Sequence, residues 1–246
     1  MKKVFAAAAA VLMCATVSYA QSFRDMFRSD DKGGIEWGVR AGLNISDIAG
    51  KYTGGGVSVK ADLKSLAGFH VGGVVGIPVT NGFYVQPGLM FSSKGARDVY
   101  KDSGEGWSVR EVTTMFPVYM EIPVLASFRA DIVDNVKLNV NVGPYFGVGL
   151  GGNMRAKWKY EEDGQTESGK DEEPTPFFGK SDDNKVRGNM QRFDFGLSFG
   201  AGVALWEHYY VGIKYDLGLV NMAVKEINNN VKLHNGTFAI TLGYNF

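Results

Sequence analysis

Hydrophobic residues recur at every second position in eight separate segments of this chain, and that periodicity limits the fold more than any other feature of the sequence. A period of two is the signature of a strand with two chemically different faces. In Glu36–Ser46, Trp37, Val39, Ala41, Leu43 and Ile45 share one face, while Gly38, Arg40, Gly42, Asn44 and Ser46 share the other. The same alternation returns over Gly68–Ile77, Phe83–Ser92, Val118–Phe128 and Leu138–Leu150, then over Phe193–Leu205, Tyr209–Gly218 and Thr237–Phe246. Its strongest row is Phe193, Phe195, Leu197, Phe199, Ala201, Val203 and Leu205, set against Asp194, Gly196, Ser198, Gly200, Gly202 and Ala204. Each segment is about as long as a tilted strand needs to cross a bilayer, and aromatic residues gather at the segment ends.

The two faces have different chemistry. One is aliphatic and aromatic; the other is rich in glycine, serine and asparagine. Glycine makes up 33 of 246 residues, nearly twice its usual share of about 7%. In hydrocarbon every backbone N–H and C=O needs an internal partner, which strands supply only when their sheet closes on itself. The sequence therefore predicts an all-β fold: a single eight-stranded antiparallel transmembrane up-and-down β-barrel, with the apolar rows toward lipid. Glycines would face the cramped interior, leaving Tyr84, Gln86, Met90, Tyr119 and Tyr145 to fill it. A soluble lipid carrier with an apolar lumen is the rival, and it would reverse the two faces.

Short and long connections alternate. Thr80-Asn81-Gly82, the stretch 129–136 and Glu207-His208 read as tight turns. Stretches 47–66, 93–113, 151–191 and 221–235 read as long polar loops. That alternation puts the short turns and both chain ends on the periplasmic side. Pro87, Pro123 and Pro144 fall inside strand segments and predict bulges or strand margins there.

Residues 1–20 read as a cleaved signal peptide: Lys2 and Lys3, an apolar run over 4–17, then Ser18-Tyr19-Ala20 before Gln21. Lipoprotein processing at Cys14 is disfavoured by the bulky Met13 before it. Residues 21–35 read as a periplasmic leader and 36–246 as the barrel, which places the chain in a cell outer membrane of the Gram-negative type. Cys14 is the sole cysteine, so the exported chain would carry no disulfide or cysteine-based metal site. Without Lys2 and Lys3, 24 of the 26 basic residues stand against 26 acidic ones, and no basic tract suggests nucleic acid.

The closing segment places Phe238, Ile240, Leu242, Tyr244 and Phe246 at every second position, which resembles the terminal signal read by the outer-membrane assembly machinery. The segments Gly38–Ser46 (GVRAGLNIS), Tyr84–Gly95 (YVQPGLMFSSKG), Tyr119–Pro123 (YMEIP), Gly143–Tyr145 (GPY), Phe193–Gly196 (FDFG) and Tyr215–Asn221 (YDLGLVN) resemble the PorT-like outer-membrane β-barrel domains, in order and in spacing. The resemblance implies an outer-membrane barrel and no single task. One relative serves a protein-secretion system. Many relatives carry an acidic residue where this chain has Gly88, which implies a depleted charge network here.

The inward rows hold the candidate luminal cluster: Arg40, His70, Glu121, Asp194, Lys214 and Asp216. Charges inside a barrel persist when paired or wetted, so a structural plug is the plain reading and a gate for small solutes the sharper one. Of the three histidines, His208 falls in a periplasmic turn, His234 has no evident partners and His70 faces the lumen. No nucleophile, base and orienting group come together, so no enzyme is expected, and no cofactor or metal. The acidic run Glu161, Glu162, Asp163, Glu167, Asp171, Glu172 and Glu173 fits no calcium-loop spacing and reads as a solvated loop. The expected function is a barrel with a plugged lumen and a structural or surface-interaction role through its external loops. A small-solute pore and a secretion component are the alternatives. Expected partners are outer-membrane lipid, the barrel assembly machinery and an unidentified surface or periplasmic protein.

Overall fold

The computed structural model describes residues 34–54, 57–61, 63–80, 82–170, 175–178, 190–223 and 231–246. The signal peptide and nearly all of the leader read from the sequence lie outside these residues. Eight strands form a ring: β1 (Glu36–Gly54), β3 (Lys64–Thr80), β4 (Phe83–Ser93), β6 (Trp107–Val133), β7 (Val136–Glu162), β10 (Phe193–Leu205), β11 (Tyr209–Gly218) and β12 (Val231–Asn245). Each is antiparallel to its neighbours, and β1 closes the ring by pairing with both β3 and β12. The closing ladder runs from Gly38 opposite Asn245 to Tyr52 opposite Val231. No edge is left open along the apolar band, as a bilayer demands.

The faces are those the alternation predicts. Trp37, Leu43, Phe199 and Leu242 are exposed on the outer surface, and Phe195 packs there against Phe146 at 5.2 Å. Asn44, His70, Glu121, Asp194 and Thr237 are buried inside. Small inward residues let the wall close. An added Cβ at Gly42 would sit 1.9 Å from the Ile240 carbonyl oxygen across the β1–β12 seam.

The tight turns are formed as expected. Gly82 takes φ +73° between β3 and β4, Asn135 takes +63° between β6 and β7, and Trp206 and Glu207 take +48° and +64° between β10 and β11. The prolines behave differently from the expectation. Pro87 and Pro123 sit in a β4–β6 ladder that skips two residues yet keeps one register on both sides, and Pro144 lies in a similar gap between β6 and β7. The missing N–H groups interrupt the ladder without adding a residue. The register shifts of β6 against β7 occur instead at Val118/Tyr119, just after Pro117, and at Asp131/Val133 beside the turn.

The long polar loops are the larger correction. Much of 47–66, 93–113 and 151–170 is strand: β1 runs on into a hairpin with β2 (Val57–Ala61), and β5 (Ala96–Gly104) and β8 (Gln165–Lys170) flank β6 and β7. The barrel wall thus continues upward as a sheet in the order β5-β6-β7-β8. On it Lys159 pairs with Glu161, and that hydrogen bond holds the Glu161 carboxyl below its ordinary range.

Candidate functional site

The bore is occupied in layers. At the turn end, Arg129 pairs with Glu36, donates to Gln86 Oε1 at 3.3 Å and lies 3.9 Å over the Tyr84 ring. Beside it Arg40 donates to Asn245 Oδ1 at 2.7 Å and lies 4.5 Å over Tyr210. Above them His70 donates from Nδ1 to Asn44 Oδ1 (2.8 Å) and accepts at Nε2 from the Thr241 hydroxyl (3.0 Å). Asn44 in turn donates to Ser92 Oγ and the Ser93 carbonyl. Across the bore, Lys214 pairs with Asp216 at 2.7 Å, and Ser198 donates to the other carboxylate oxygen at 2.6 Å. A cavity of about 70 Å³ remains among Arg40, His70, Glu121, Asn141, Tyr210 and Lys214. That is room for a few waters.

The next layer holds a fully buried ammonium. Lys94 Nζ lies 2.6 Å from Glu121 Oε1 and 3.3 Å from Asp194 Oδ2. The Glu121 contact is an ion pair with poor hydrogen-bond alignment. Asp194 Oδ2 also accepts from Tyr145 (3.2 Å) and Asn235 (2.9 Å), and Lys94 sits 4.4 Å over the Tyr145 ring. One cation thus serves two carboxylates with no exposure to bulk water. Removing either sign would leave a buried charge uncompensated.

An apolar layer covers this cluster. Phe177 and Phe178 are buried with Tyr119, Met222, Ile48 and Ala96. Phe178 meets Tyr119 edge-on at 5.4 Å and Phe177 edge-on at 4.9 Å. The segment is tied to the wall by β9 (Thr175–Pro176), which pairs with Asn153 and Met154 of β7. Gly149 makes room for the Phe178 ring, whose Cζ would lie 2.3 Å from an added Cβ.

All six residues of the sequence-derived cluster point into the bore, but they form no single network. Glu121 and Asp194 share Lys94, Lys214 and Asp216 pair together, and Arg40 and His70 bond to neutral partners. Sequence reasoning missed Lys94, although it continues the inward row Met90, Ser92 by one more step of two. It also missed Phe177-Phe178, whose apolar pair was the signal inside a polar stretch, and Arg129 with Glu36. Phe238, Ile240, Leu242, Tyr244 and Phe246 lie on the outer face of the closing strand or just past it, with Leu242 and Phe246 well exposed. Of the acidic run, Glu162 and Glu167 stand on the sheet's bore-side face and Glu161 on its outer face, while Asp171, Glu172 and Glu173 lie outside the described residues.

A closed ring of strands, greasy outside and polar within, is what a family-model match now puts in context: residues 19–224 match the outer membrane protein beta-barrel domain. The chain belongs to that family. This outer membrane barrel is also similar to solved structures. The Yersinia pestis attachment invasion locus protein Ail is 19% identical, over 87% of this chain and 100% of that one, with a TM-score of 0.34. OprG from Pseudomonas aeruginosa is 12% identical over 86% and 95%, at 0.36. Neisserial surface protein A is 13% identical over 87% and 100%, at 0.32. Among curated proteins none matches the chain.

Proposed function

We propose that this outer membrane barrel is closed to solutes and works at the cell surface, through the sheet its strands raise beyond the bilayer. The observation that carries the reading is the stack across the bore: an arginine layer, the His70–Asn44 layer, the Lys94 ion cluster and the Phe177–Phe178 layer. An eight-stranded barrel is just wide enough for side chains to fill, and here they are long and mutually bonded. His70 has both ring nitrogens engaged and His208 Nδ1 faces the Asn245 carbonyl at 3.0 Å, which supports a non-catalytic role. A PorT-like placement is the finer family reading that the strand motifs support. Crosslinking from the turns in intact cells tests a secretion role, which would show as capture of a periplasmic protein.

Purified, refolded protein in planar bilayers is expected to give no unitary current. Stable single-channel steps would sink the closed-barrel reading and favour a small-solute pore. The Phe177→Ala, Phe178→Ala double variant is expected to stay silent too, because the Lys94 cluster lies beneath that layer.

A further inference from the structure

The sheet above the barrel has two opposed faces of opposite charge, and the register fixes which is which. On one face Lys101 of β5 stands opposite Arg110 of β6, which stands opposite Lys159 of β7. The next rows on that face bring Lys157 beside Lys170, and Arg97 in line with Thr114 and Arg155. Glu161, already paired with Lys159, is the acid on this face. Among the described residues, no carboxylate forms an ion pair with Arg97, Lys101, Arg110, Arg155 or Lys157, and all five are exposed. The reverse face carries Asp98, Asp102, Glu111, Glu162 and Glu167 among Trp107, Trp158, Tyr100 and Tyr160, with no base. Like charges directly opposite one another on a sheet are unfavourable, so the unpaired cations, Lys101 against Arg110 and Lys157 against Lys170, call for an anion from outside.

The direction of the basic face names that anion. Side chains alternate along each strand, and Tyr119, Pro117 and Met115 of β6 face the bore. Thr114, Val112 and Arg110 are therefore the outward continuation of the surface that carries Ile122. On β7 the shift at Val118/Tyr119 resets the phase, and Arg155, Lys157 and Lys159 take the outward side above Phe146, Val148 and Leu150. Arg155 stands about 13 Å above Leu150 at ~3.4 Å per residue and a strand tilt of about 40°. That is the headgroup zone.

We propose that this outward basic face binds the phosphate groups of glycolipid in the outer leaflet beside the barrel. The inference rests on the barrel standing in the outer membrane with this sheet on the outside. It does not depend on the bore being closed, so conductance leaves it intact. The phosphates of a lipid beside the barrel lie on the side this face points to.

The test uses the full barrel in phosphatidylcholine nanodiscs containing a few per cent of either diphosphorylated lipid A or its dephosphorylated form. Lipid retained after detergent exchange is counted by native mass spectrometry. The unaltered protein should enrich the diphosphorylated lipid over the dephosphorylated one. The exposed triple variant Arg97→Gln, Arg155→Gln, Lys157→Gln, at or within two residues of the Arg155 level, should lose that preference by about a hundred-fold, at about five-fold per charge. Asp98→Asn, Asp102→Asn, Glu167→Gln on the reverse face should keep it. Equal retention of the two lipids by the unaltered protein would overturn the proposal without need of any variant. So would binding of a soluble polyphosphate that the triple variant abolishes while lipid retention stays unchanged.

Discussion

Lys94→Met is expected to destabilise the barrel by about 3–5 kcal/mol, seen as an earlier midpoint in urea unfolding from micelles. The substitution keeps length and volume but deletes the ammonium between Glu121 and Asp194. Both carboxylates are buried, so neither can turn to water to recover solvation. The cost comes from what is left behind more than from the lost attraction. It follows that Lys94→Met combined with Glu121→Gln and Asp194→Asn should regain much of the loss, because a neutral cluster needs only hydrogen bonds. Lys94→Met unfolding at the unaltered midpoint would show that the cluster is hydrated and cheap to break.

Gly42→Val is expected to reduce the folded, heat-modifiable species by an order of magnitude or more, through overpacking that costs about 3 kcal/mol. Its Cβ would meet the Ile240 carbonyl oxygen at 1.9 Å and His70 Cε1 at 2.6 Å. The imidazole could shift, but the carbonyl belongs to the ladder that closes the ring. Relief would require β1 and β12 to part. Gly73→Ala is the matched control: its nearest neighbour would lie 3.7 Å away, so gel mobility with and without heating should be unchanged. Equal yields from the two variants would mean the seam is looser than its register implies.

The barrel was legible because lipid imposes a strict rule on alternate residues, and each of the eight segments obeys it over its own length. Trp37 to Ile45 and Phe193 to Leu205 lie outward as their spacing demands. Beyond the bilayer that rule lapses. Water satisfies a backbone as well on both faces, so the strands of the projecting sheet carry charges on either side and read as loops. Arg110 and Glu111 are adjacent in sequence yet belong to opposite faces, and only the pairing to Lys159 and Trp158 reveals it. The ion cluster was half visible for a related reason. Glu121 and Asp194 sit in clear inward rows, whereas Lys94 lies past the apparent end of its strand, in Ser93-Lys94-Gly95. Phe177-Phe178 reach the bore from a segment with no period at all, so their burial is a tertiary fact without a local pattern.

Strands β6 and β7 each run for 27 residues, from the turn at Asn135 through the bilayer to the hairpin tips. A single irregularity, at Val118/Tyr119 against Gly149 and Gly151, stands between the part in lipid and the part outside. Anything that grips the tips therefore acts on a lever rooted in the wall itself, and a tug or tilt there reaches the Lys94 and Phe178 layers across that one irregularity. A ligand on this surface would be felt inside the membrane as mechanical load.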